Sequence, residues 1–214
     1  MDARIALGTL ALLAGREGLG KSILSYTIAS MITRGVLSGE FFGMPKPVLV
    51  AAAEDSWSQT IVPRLIAAGA DLGRVFRVEI IADAVHSELI MPRDLAGVRR
   101  VAHEVDAVLL ILDPLISRLD PKLDSHKDAE VRMALEPLVA MADLINISVL
   151  GTKLSVGKSA RPRLFFGVPN SRRLLVSSSG SEIRVCTERA TAGNALDAMT
   201  TCSGPVLPDL LCDG

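Results

Sequence analysis

Residues 14–23 read AGREGLGKSI, and within them Gly15, Gly20, Lys21 and Ser22 meet the spacing G-x-x-x-x-G-K-[ST]. This pattern suits one chemistry, the holding of phosphates. A loop made of Gly15, Arg16, Glu17, Gly18, Leu19 and Gly20 can curl with its backbone N–H groups turned inward, a shape that β-carbons obstruct and glycines permit. Lys21 is then the cation that reaches the outer phosphates, and Ser22 offers a hydroxyl to magnesium. A flexible turn that happens to carry a lysine is the alternative reading. The context argues against it: an apolar run precedes the loop and helix-period residues follow it, so the loop feeds a helix N-terminus whose dipole favours an anion.

Two other apolar runs end in carboxylates. The run 108–112 is followed by Asp113, a group suited to hold the water shell of magnesium. The run 48–53 is followed by Glu54-Asp55, and if the two strands are parallel both acidic ends face one crevice, outside the carboxyl edge of the sheet. A carboxylate there can polarise water for attack on a γ-phosphate. Glu54, first off the strand, is the expected base, while Asp55 and Ser56 suit the cap of the next helix.

These residues need a scaffold that brings strand ends together, and the alternation of patterns supplies one. Strands are expected at 10–14, 48–53, 75–81, 108–112 and 147–152, with helical periodicity between them. One helix starts at Lys21 and carries Ile23, Leu24, Thr27, Ile28, Met31 and Ile32; one from Asp94 sets Leu95, Val98, Val101 and Ala102 on a face; a third, 128–143, turns Val131, Ala134, Leu135, Leu138 and Met141 inward. Pro63 and Pro137 interrupt these patterns unless they lie in a first turn or a kink. The expected class is α/β, a mostly parallel sheet flanked by helices. An aliphatic core fits it, because 49% of the 214 residues are hydrophobic but only 3% aromatic.

A net charge of −1 gives no global field for nucleic acid, so such a contact would need a local basic patch. No apolar stretch reaches the roughly 18 residues that span a bilayer. The opening MDARIALGTLALLAG imitates a short signal peptide, yet it runs into the glycine loop without a cleavage site and reads as the first strand. Cys186, Cys202 and Cys212 show no metal-ligand spacing, and their odd number fits reduced thiols, so a cytoplasmic location without membrane contact is expected.

After Thr152 the texture changes. Residues 1–152 hold 15 basic and 19 acidic side chains, net −4, and residues 153–214 hold 8 and 5, net +3. Short strands at 164–168, 173–177 and 182–185 could extend the sheet. The expected domain runs over 1–187, and 188–214 reads as a tail too sparse in periodic apolar residues to repay its ordering entropy. Lys153, Lys158, Arg161 and Arg163 interleave with Gly157 and Pro162, as a basic loop or a solvated linker does.

The segments LLAGREGLGKS, VLVAAAEDSWSQTIVPRLIAAGAD and LLILDPL, with DSHKDAEVRMALEPL after them, resemble the RecA-fold P-loop ATPases related to RepA, hexameric replicative helicases of plasmids and phages. The likeness runs from about residue 7 to 150. It implies a Mg2+-dependent ATPase with Lys21 and Ser22 on phosphate and metal, Glu54 as catalytic base and Asp113 as the Walker B carboxylate. It also implies a ring-shaped homo-oligomer, a hexamer, with each ATP between subunits, and single-stranded DNA in the channel, touched by the loop that holds Lys153, Lys158, Arg161 and Arg163. An arginine reaching the neighbour's ATP would be Arg172 or Arg173. Where such proteins carry a histidine after the last core strand, this chain has Lys153. Other classes compatible with the residues are a nucleotide-dependent regulatory switch and a RadA- or RecA-like recombination ATPase. His86, His103 and His126 have no partner at ligand spacing, and Trp57 reads as a core anchor.

Overall fold

The computed structural model describes residues 5–16, 18–82, 85–121, 123, 128–154, 163–166 and 182–186. Five strands form its parallel centre: β1 (Leu10–Gly15), β2 (Val48–Ala52), β3 (Val75–Ala82), β5 (Leu109–Asp113) and β6 (Ser148–Leu154), in the spatial order β3-β2-β5-β6-β1. Antiparallel strands border this centre. β4 (Val85–Ser87) and β8 (Glu182–Cys186) pair with β3, and β7 (Arg163–Phe166) pairs with β1. The additions expected at 164–168 and 182–185 are therefore present, whereas the strand expected at 173–177 and the tail 188–214 lie outside the described residues.

Helices cover both faces, which explains why the strands read as unbroken apolar runs rather than alternating ones. Successive side chains of one strand point to opposite faces. Val48, Val50, Leu109, Ile111 and Leu150 thus join the core under α1 (Lys21–Thr33) and α2 (Val62–Ala67). Leu49, Ala51, Leu110, Leu112 and Val149 join the core under α3 (Leu95–Glu104) and α4 (Asp128–Ile145). The inward faces expected for α3 and α4 hold: Leu95, Val98, Val101, Ala102, Val131, Leu138 and Met141 are buried.

The apolar residues expected along α1 divide: Ile32 is buried and Ile28 packs against the core, but the first turn faces outward. Ile23 and Leu24 are 59% and 46% exposed, while Ser25, Tyr26, Ala29, Ser30, Ile32 and Thr33 are buried. Size and hydrogen bonding explain this better than hydropathy. Ala29 and the two serines are small, and the hydroxyls are satisfied by carbonyls: Ser25 donates to the Ser22 carbonyl at 2.9 Å, Thr33 to the Ser30 carbonyl at 2.9 Å, and Ser30 across to the Ala68 carbonyl at the end of α2 at 2.5 Å. Pro63 falls in the first turn of α2, after a π-helical turn over Trp57–Ile61 that the sequence pattern did not announce, and Pro137 lies inside α4.

Gly151 shows how tightly the central strands are packed. A β-carbon there would come within 2.9 Å of Leu115 Cδ2 and 3.2 Å of Leu12 Cδ2. Gly151→Ala should lower stability by about 1–3 kcal/mol, the usual cost of forcing extra volume into a packed core. A urea unfolding midpoint equal to that of the wild type would contradict this reading of the packing.

Candidate nucleotide and magnesium site

Because β1, β6, β5 and β2 are parallel neighbours, the loops leaving them open onto one edge of the sheet. β1 ends at Gly15 and the chain turns through the glycine loop into α1. Gly18 and Gly20 take φ of 76° and 74°, left-handed values that an L side chain rarely adopts. Gly20 is the N-cap of α1 and has no side chain to cap with, and the first turn holds no acidic residue. The amides of Lys21, Ser22 and Ile23 precede the first helical hydrogen bond, from Leu24 N–H to the Gly20 carbonyl at 2.9 Å. The helix start is thus positively polarised, and the first turn of α1 supplies it no carboxylate.

Lys21 sits at this end. Its ammonium donates to the carbonyls of Gly15 at 3.0 Å and Arg16 at 2.7 Å, so the side chain lies back over the loop. Ser22 is half-buried in the first turn. Glu17, expected in the loop, lies outside the described residues.

Register brings the acidic residues together. Ala52 of β2 is paired with Asp113 of β5, and the Ala53 N–H donates to the Asp113 carbonyl at 3.0 Å, which fixes Glu54 one residue beyond. The Asp113 side chain is held from both sides: Thr152, two residues before the end of β6, donates its hydroxyl to Oδ1, and Tyr26 of α1 lies 3.4 Å from Oδ2. Tyr26 has no exposed surface. Burial first, then the charges of Asp113 and Asp55, raise its pKa well above the usual phenol value, so the hydroxyl keeps its proton and acts as donor.

Glu54 and Asp55 separate into two roles. Asp55 is ion-paired with Arg64 of α2 at 2.6 Å, and the capping oxygen belongs to Ser56 alone, which accepts from the Gln59 N–H at 3.4 Å. The expectation that Asp55 also caps is corrected, since the nearby guanidinium is the stronger partner for a carboxylate. Glu54 is exposed and has no hydrogen bond or ion pair among the described residues. It borders a cleft of about 470 Å³ that Glu88, Ser117 and Asp120 also line. Arg118, 4% exposed, is buried in the turn after β5; desolvation lowers its pKa and the charge of Glu88 opposes that shift.

The basic candidates divide. Lys153 and Arg163, expected in a loop, lie instead in strands β6 and β7, both paired with Ala14, one on each side of β1, immediately before the glycine loop. Lys158 and Arg161, and the arginine-finger candidates Arg172 and Arg173, lie outside the described residues. Trp57 is buried in the core under Arg77, as a packing anchor. His103 lies in the last turn of α3. No group of three or more His, Cys, Asp or Glu side chains suited to a metal ion occurs among the described residues, and no helix among them is long and apolar enough to cross a membrane.

Sequence reasoning missed Tyr26, Thr152 and Arg64. A signal existed for the first two: the chain's one tyrosine lies a helical turn after Ser22, and Thr152 closes the run expected as a strand at 147–152, at the edge where Asp113 ends β5. A family model described as an AAA domain matches residues 1–153. A search of curated proteins finds no match to the chain.

Proposed function

Since the chain belongs to the AAA-domain family of ATPases, we propose that it binds ATP with magnesium and hydrolyses it at the carboxyl edge of the sheet, as the motor of a RepA-like DNA helicase. One observation carries the ATPase reading: an uncapped helix start with two left-handed glycines opens on the same edge as Asp113 and Glu54. The residues fit the ligand. The helix start and Lys21 suit the phosphates, and the Ser22 hydroxyl and Asp113 suit magnesium, whose bound charge would draw electron density from the phosphate being cleaved. An oxygen of Glu54 accepts the proton of the attacking water, and having no ion pair among the described residues keeps that oxygen available.

The helicase part of the proposal rests on the AEDS segment with the VPRL stretch after it, on the DSHKDAE segment, and on the basic residues from Lys153 to Arg163. In this reading the ATPase domain extends to residue 187, the chain forms a hexameric ring, and single-stranded DNA follows the basic loop. The test is ATP turnover with and without single-stranded DNA, together with sizing in ATP and magnesium. A ring whose turnover rises with DNA supports the motor. A monomer with DNA-independent turnover leaves a regulatory switch instead.

The DNA interaction has its own expected outcome. Replacing Lys158, Arg161 and Arg163 together with Ala should weaken binding of a labelled oligonucleotide and flatten its salt dependence, by about 0.7 in slope for each phosphate of a single strand that is no longer neutralised. Fluorescence anisotropy across a salt series measures both. An unchanged slope would turn the basic stretch into a solvated linker.

A further inference from the structure

We propose that Tyr26 is a positioning residue for magnesium binding, its buried hydroxyl holding the Asp113 carboxylate in one orientation beside the phosphate loop. This deepens the ATPase reading and rests on it. Tyr26 lies four residues after Ser22, so the two share one face of α1. The helix that offers the metal-binding hydroxyl therefore also touches the metal-binding carboxylate.

The carboxylate needs such a hold. Rotation about its last side-chain bond is broad and roughly two-fold, so an Asp at a strand end does not by itself present a fixed oxygen. Here Thr152 engages Oδ1 from β6 and Tyr26 approaches Oδ2 from α1. The Tyr26 hydrogen bond is long at 3.4 Å, and a long bond contributes less than an ideal one. Yet Asp113 is the one hydrogen-bond partner of the Tyr26 side chain among the described residues, and the ring is wholly buried. A phenylalanine would fill the same core space under the sheet without touching Oδ2. Packing alone does not account for a hydroxyl at this position, whereas a role toward Asp113 does.

The test is equilibrium binding of a fluorescent ADP analogue to the full chain, in EDTA and across a magnesium titration, for wild type, Tyr26→Phe, Thr152→Val and the double variant. Partners that orient a metal ligand are typically worth about 10–100-fold in metal affinity, and the long hydrogen bond points to the lower end. Tyr26→Phe should raise the magnesium concentration for half-maximal effect by about 10-fold while leaving affinity in EDTA within about twofold. The double variant should be less than additive, because both hydroxyls act on one carboxylate. A magnesium midpoint equal to wild type would overturn the proposal. So would an equal loss of affinity with and without magnesium, or a Tyr26→Phe chain that does not fold, since either assigns the hydroxyl to packing. Wild-type nucleotide binding that ignores magnesium is a separate outcome, and it would overturn the site assignment itself.

Discussion

Glu54→Gln is expected to leave ATP binding intact and to lower turnover by about 10²–10⁴-fold, the contribution of a positioned general base. The substitution keeps shape and removes the carboxylate at the β2 edge that has no partner among the described residues. Asp55→Asn is the contrast. That carboxylate is paired with Arg64 at 2.6 Å, both side chains are partly solvated, and breaking such a pair costs up to about 1 kcal/mol without removing a base. Single-turnover hydrolysis beside nucleotide binding separates the two effects. Full turnover in Glu54→Gln together with a collapse in Asp55→Asn would exchange their roles.

What could be read in the sequence depended on whether the determinant was local. The glycine loop was legible because left-handed backbone at Gly18 and Gly20 is a property of the residues themselves. The five parallel strands were legible because burial on both faces leaves unbroken apolar runs. The buried face of α1 was legible only at Ile28 and Ile32, since the rest of it is small or hydroxylated, and three serine and threonine hydroxyls that hydropathy counts as polar are satisfied by carbonyls. The acidic edge was half legible. Asp113 and Glu54 stood out as carboxylates after apolar runs, but the separation of Glu54 from Asp55 depends on Arg64, nine residues on and brought back by a π-helical turn. Tyr26 and Thr152 meet Asp113 only through the sheet order, in which β6 lies between β1 and β5.

Lys21→Ala is expected to abolish the stabilisation that ATP and magnesium give, while changing the melting of the nucleotide-free chain little. The two halves have different causes. Without nucleotide, the ammonium donates to the Gly15 and Arg16 carbonyls, one part-buried and one exposed, so water can replace it and the net loss is about 1 kcal/mol or less. With nucleotide, a ligand at 100 times its Kd stabilises the native state by about 2.7 kcal/mol, and this increment vanishes as Kd rises above the ligand concentration. Lys21 is the side-chain cation of the first turn of α1, which otherwise offers the partial positive charge of uncapped amides. Removing it leaves that turn with dipoles alone to hold the phosphates. Thermal melting with and without ATP and magnesium distinguishes the possibilities. A variant that melts early but keeps its full nucleotide shift would make Lys21 a clamp on its own loop, and the phosphate assignment would fail with it.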